Sequence, residues 1–253
     1  MNLTEESIAQ NFEDLKSLIK KNITGERQQL LLDMYDKLSE KVMFAPASGI
    51  EHYHNCFVGG YVDHVLRVTN AAQHLYNLWR EMGADMSGYN IEELMFAAIN
   101  HDLGKVGDLD NDYYTPCPSE WHRKNQGKLY DINPAIQNMS VPHRSLYLLQ
   151  EHGVKVSKSE MIGILIHDGM YDESNASYLK AWDKNRKIQN NLPLVLHHAD
   201  HMASQIEYER WNSGLKPLPV KKPNYTKKPA VSKMTDAKTD AQDLFKGLFG
   251  DNK

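Results

Sequence analysis

The stretch Met95-Phe96-Ala97-Ala98-Ile99-Asn100-His101-Asp102-Leu103-Gly104-Lys105 decides how this chain is read. Ile91, Leu94, Met95, Ala98 and Ile99 recur at helical spacing, which predicts a helix over 90–100 with one face turned inward. His101-Asp102 then falls at the end of that helix, in apolar surroundings, just before Gly104-Lys105. An unpaired carboxylate buried there would cost several kcal/mol, whereas a bound metal ion offsets the cost. Imidazole and carboxylate together are ligands for hard or borderline divalent metals.

Working outward, further His and Asp residues sit in or beside helix-patterned segments. His64 lies near the start of 61–82, whose apolar side carries Val62, Val65, Leu66, Val68, Leu75, Leu78 and Trp79. Helical patterning returns at 145–151 and 159–167, the latter ending in His167-Asp168. It returns once more at 194–211, where Leu194, Val195, Leu196, Ala199 and Ala203 surround Asp200. Two amphipathic helices, 3–21 and 25–42, precede all of these, with Phe12, Leu15 and Ile19 on one face of the first. A lone histidine on a helix is more often a core or surface residue than a ligand, and His74 and His152 are read that way. Groups of this kind on several separate helices are most simply read as building one site between them.

Strand-like alternation is scarce, so the expected fold is all-α. The expected organisation is an N-terminal helical region (1–50), a core (51–214), a linker (215–240) and a short terminal peptide (241–253). Between 106 and 142 the periodicity fails, and Asp, Asn, Pro, Gly and Tyr dominate. A long aperiodic insert inside a domain is functional or disordered, and Tyr113, Tyr114, Trp121 and Tyr130 argue against disorder. After Gly214, prolines alternate with lysines in sequence that cannot bury a core and reads as an extended, flexible tail.

At 253 residues, 41% hydrophobic and 25% charged, the composition is that of an ordinary globular chain. A net charge of −4 gives no global case for nucleic-acid binding. Cys56 and Cys117 do not make a disulfide framework, so a reducing compartment is expected. The acidic N-terminus lacks a signal-peptide layout, and no apolar run is long enough to cross a bilayer. A cytoplasmic location is the expectation.

The order His64, His101-Asp102, Asp200 resembles the ligand signature of the HD-domain phosphohydrolase superfamily, whose core is a helical bundle. Gly59-Gly60-Tyr-Val-Asp-His64 is similar to the entry of its first ligand helix, and His101-Asp-Leu-Gly-Lys105 to its His-Asp-Ile/Leu-Gly-Lys form. The resemblance covers roughly 59–211. It implies that His64, His101, Asp102 and Asp200 hold a first divalent metal. His143 and His167 fall where binuclear branches, among them exoribonuclease-like proteins and cyclic-dinucleotide phosphodiesterases, place extra histidines. In that reading they hold a second ion bridged by Asp102; in the other they line a mononuclear site. Those branches often carry His-His where this chain has His167-Asp168, so Asp168 is assigned to ligation, ligand orientation or water activation. The glutamate of a three-metal variant is replaced by Gly60, which argues against a third ion. Iron, manganese and magnesium all suit such a donor set.

The implied activity is hydrolysis of phosphate esters of a nucleotide or oligonucleotide, with Asp102, Lys105 and Asp168 as the catalytic groups. Lys105 either reaches a substrate phosphate or is a solvated helix-end lysine, and Arg144 is either a phosphate clamp or a structural residue. The insert, which joins His101-Asp102 to His143, is either a lid whose Tyr114, Trp121 and His122 bind substrate or a loop packing its own aromatics. The alternative from another class is a catalytically weak accessory module tethered to the replication machinery. Gln242, Leu244, Phe245, Leu248 and Phe249 resemble peptides captured by DNA sliding clamps, and an equal alternative is a helix docked on its own domain.

Overall fold

The computed structural model describes residues 3–215, so the expected linker and clamp-binding peptide lie outside the described residues. Among the described residues there are ten α-helices and one pair of short strands, which bears out an all-α fold. Helix α1 (Glu5–Asn22) starts at Thr4, whose hydroxyl accepts from the Ser7 N–H, and buries Ile8, Phe12, Leu15 and Ile19. The second amphipathic segment is broken at Leu38 into α2 (Gly25–Lys37) and α3 (Ser39–Phe44). Helix α4 (Gly60–Glu81) carries His64, and α5 (Ile91–Asn100) opens with a reciprocal Asn90–Glu93 capping box.

Strands β1 (Tyr114–Pro116) and β2 (Tyr130–Ile132) flank helix α6 (Glu120–Gln126). Helices α7 (Val141–Glu151), α8 (Lys158–Ile166), the short α9 (Ala176–Leu179) and α10 (Leu192–Asn212) follow. One continuous core joins them. Helix α10 lies along α4, α4 along α5, and α8 against both α5 and α10. The N-terminal helices share this core through Leu15, Ile19, Leu31 and Tyr35, so α1 to α3 are part of it rather than an appendage. No described helix is long and apolar enough to cross a membrane.

Three devices hold the helices that bear the histidines. Arg27 of α2 reaches Glu92 and Glu160, each at 2.7 Å, and so ties the starts of α5 and α8 together. Tyr35 donates its hydroxyl to Asn100 Oδ1 at 3.1 Å, one residue before His101. Ser145 Oγ on α7 accepts from the Gly104 N–H at 2.8 Å and lies 3.0 Å from the His101 carbonyl oxygen. Gly104 is required for that contact, because a Cβ there would stand 2.2 Å from the Val141 carbonyl oxygen.

The insert holds regular structure, in keeping with its aromatic residues, although its sequence shows no period. Tyr114 pairs with Ile132 and Pro116 with Tyr130 in an antiparallel ladder too short to show a period of two in sequence. Leu129 and Tyr130 donate to the Gly49 carbonyl at 3.0 and 3.1 Å, and Glu51 donates to Gly127 at 2.9 Å. The hairpin is therefore clasped to the loop between α3 and α4 and backs the segment that carries His54.

Candidate metal centre

Helices α5 and α8 end in the same way and at the same place. Each terminates in His-Asp, with His101 and His167 as the capping residues. In each, Nδ1 donates to the carbonyl three residues back, Ala98 for His101 and Ile164 for His167, both at 2.8 Å. That hydrogen bond orients each ring and turns its Nε2 inward. On α4, His64 Nδ1 lies 3.2 Å from both carboxylate oxygens of the buried Glu207, two turns beyond Asp200 on α10. All three imidazoles are thus oriented by their far nitrogen.

Their near nitrogens converge on two carboxylates. His64 Nε2 lies 3.1 Å from Asp200 Oδ1, and both His64 Nε2 and His101 Nε2 lie 3.5 Å from Asp102 Oδ2. His167 Nε2 lies 3.6 Å from the other Asp102 oxygen, Oδ1, and 3.6 Å from Asp168 Oδ1. The two Asp102 oxygens therefore face different partners: Oδ1 faces His167, while Oδ2 faces His64 and His101 and also pairs with Lys105 at 2.6 Å. His64 Nε2 and His101 Nε2 are buried without a hydrogen-bond partner. Two orphaned ring nitrogens aimed at carboxylate oxygens are costly unless a cation lies between them. His64, His101 and Asp200 form one group of mutually close ligand atoms, His101, Asp102 and His167 a second, and His167, Asp168 and Asp200 a third. The donor set fits a divalent metal.

The electrostatics agree. Burial alone would depress His64, but Glu207 and Asp200 outweigh it and push its pKa up to about 10. His167 is raised to about 9 by Asp168 and Asp102 against the same burial. His101, where burial prevails over Asp102, falls to about 4. Asp102 stays well below the usual carboxylate range despite burial, chiefly through Lys105. The buried carboxylates thus favour positive charge on His64 and His167, whereas burial keeps His101 neutral.

Lys105, mostly buried, sits 2.6 Å from Asp102 Oδ2 and 3.4 Å from His54 Nε2. It is thus not a solvated helix-end lysine. A pocket of about 560 Å³ opens above the cluster, with Asp102, Lys105, His167, Asp168 and Asp200 on its floor. Within the pocket Asp168 is half-exposed.

Several residues singled out in sequence are not brought to the site. His143 is exposed at the start of α7, where Ser140 Oγ holds its Nδ1 at 2.6 Å, and it belongs to none of the ligand groups. Arg144, its neighbour, is buried but points into the insert: it donates to the Gln137 carbonyl at 2.8 Å and lies over the Tyr113 ring at 4.9 Å. That is a structural role. Trp121 and His122 are exposed on α6, away from the pocket lining. Tyr114 stands on the far side of Lys105, lining a separate cavity of about 300 Å³. His74 is exposed and His152 ends α7, both outside the ligand groups.

Two residues were not legible in sequence. His54 forms a close group with His64 and Asp102, with ring centroids 4.7 Å from His64. It comes from a loop with no periodic pattern. Glu207 reads as one charge among several on a helix, although its spacing of seven from Asp200 places both on one face. Glu207 is held in turn by Arg67, whose Nε lies 3.8 Å from it and 2.8 Å from Asp63. Comparison with protein-family models, curated proteins and solved structures finds no match to this chain.

Proposed function

We propose that the chain is a metal-dependent phosphohydrolase of the HD-domain type, acting on phosphate esters of nucleotides with two divalent ions. The observation that carries this reading is the split Asp102 carboxylate, with oriented histidine nitrogens against each oxygen. His64, His101, Asp102 and Asp200 are the ligands assigned to one ion. Asp102, His167 and Asp168 are those assigned to the second, and Asp168 takes the place that His143 was expected to fill. Two such ions supply a lowered water pKa and neutralisation of charge on a phosphoryl group.

The chain's own residues do the rest. Lys105 is anchored by Asp102 and His54 on the pocket floor and retains an N–H donor for a phosphate oxygen. Glu207, Ala98 and Ile164 orient the three imidazoles through Nδ1. Asp168, where it is not occupied by an ion, accepts a proton from water entering the open side of the pocket. Iron, manganese and magnesium remain the candidate ions, since the donor set is all nitrogen and oxygen.

The test is hydrolysis of a panel of nucleoside monophosphates, cyclic nucleotides and short oligonucleotides by the full chain with each metal. Turnover that is abolished in Asp102→Ala supports the reading. Metal binding without turnover of any ester would instead make the chain a binding module.

A further inference from the structure

The pocket above the cluster has an aromatic rim that the chemistry at its floor does not use. Tyr171, carried on the 3₁₀ turn Gly169–Tyr171 just after Asp168, is 77% exposed, unusual for a ring beside a buried cluster. It stacks on His201 with ring centroids 5.7 Å apart and planes 26° apart. Both belong to segments that also supply ligands: His201 follows Asp200 on α10, and Tyr171 lies three residues past Asp168. The stack is therefore positioned by the same backbone that positions the cluster.

Beyond it the pocket wall on α10 continues through Ser204, Gln205 and Tyr208. Ser204 and Gln205 present neutral hydrogen-bonding groups, and Tyr208 is part-exposed two turns further along. From His201 to Tyr208 the helix rises about 10 Å at 1.5 Å per residue. Tyr53, 55% exposed, also lines the pocket. Aromatic faces with neutral amide and hydroxyl groups suit a base and a sugar.

Charge narrows the ligand further. Among the described residues lining the pocket, Lys105 is the one lysine or arginine. A surface that tracks a nucleic-acid backbone carries several such cations. A pocket of about 560 Å³ is instead the size of small-molecule sites, which run to roughly 300–1,000 Å³.

Resting on the proposed phosphatase reading of the floor, we propose that the rim is a nucleobase site for a single nucleotide unit. The base stacks on the outer face of the Tyr171–His201 pair and the phosphate faces Lys105 and the His/Asp cluster. This moves base recognition from the insert, where Tyr114 and Trp121 lie outside the pocket, to α10 and the turn after α8.

The experiment measures binding by calorimetry on the full, Mn²⁺-loaded chain. Its probes are the non-hydrolysable methylene phosphonate analogue of AMP and the same phosphonate of ribose without a base. The wild type should prefer the adenosine compound. Tyr171→Ala and His201→Ala should each reduce that preference by about 5- to 150-fold, the range of one lost base–aromatic stack. Tyr171→Phe should keep it, as should Trp182→Ala, which alters a 95% exposed ring outside the pocket lining. No preference in the wild type, or an undiminished one in both alanine variants, overturns the proposal even if the chain hydrolyses phosphate esters. A clear preference in a chain that hydrolyses nothing supports the base site and defeats the phosphatase reading. A single-stranded oligonucleotide binding far more tightly than the mononucleotide analogue overturns the single-unit assignment.

Discussion

Replacing Glu207 with Gln isolates the group that orients His64. Glu207 is 4% exposed, and both its oxygens lie 3.2 Å from His64 Nδ1. Glutamine keeps the volume and one acceptor oxygen but removes the charge that makes the imidazole a stronger ligand. Loss of such an outer partner lowers metal affinity by about 10- to 100-fold. The consequence for stability follows from linkage. With Mn²⁺ at one hundred times the wild-type dissociation constant, the ion stabilises the wild type by about 2.7 kcal/mol. A 10-fold weaker site gains about 1.4 kcal/mol, and a 100-fold weaker one about 0.4 kcal/mol. Glu207 and Asp200 together hold the pKa of the buried His64 up to about 10, so removing the Glu207 charge leaves that imidazolium short of one partner. The metal-free variant should therefore unfold earlier than the wild type, and it is the Mn²⁺-dependent gain that reports on ligation. Urea unfolding of both proteins, with and without Mn²⁺, reads the two effects separately. An equal Mn²⁺-dependent gain in both proteins would refute the assignment of Glu207 as the group that tunes His64.

Three further outcomes follow from the same geometry. His167→Ala should reduce metal content measured by elemental analysis and cut turnover by more than tenfold, while His143→Ala should leave metal content unchanged; a matching loss in both would restore His143 to the site. Arg27→Met strands the fully buried Glu160 and should cost about 3–5 kcal/mol by urea unfolding, and a loss under 1 kcal/mol would show that the Arg27 bridge does not hold α5 and α8. That loss should shrink at lower pH. Burial raises the Glu160 carboxyl above its unfolded value, so the folded state holds the proton more firmly and stability rises as pH falls through the folded pKa; a loss that grows on acidification would contradict this sign.

The helices were readable because their apolar residues keep a 3.6-residue period and their caps are explicit, as at Asn90–Glu93 and Ser157–Glu160. The break at Leu38 was not, since the apolar face runs on across it. Strands of three residues in the insert leave no period to read, and their pairing depends on the distant Gly49. In the site, His64, His101, Asp102, His167 and Asp200 stood out because each adjoins an apolar run that must be buried. His143 and Arg144 stood beside such a run as well, but chain adjacency does not set direction. Ser140 captures the His143 ring at the helix start, and Arg144, about 100° further round, turns into the insert. His54 escaped notice because only the tertiary fold brings its loop to Lys105.

The central claim is that these side chains hold divalent metal between them, and anomalous diffraction from Mn²⁺-soaked crystals of the full chain tests it most directly. The account predicts one anomalous peak within coordination distance of His64 Nε2, His101 Nε2, Asp102 and Asp200, and a second against Asp102 Oδ1, His167 Nε2 and Asp168. Peaks elsewhere, or none at the cluster with Mn²⁺ in excess, would contradict it.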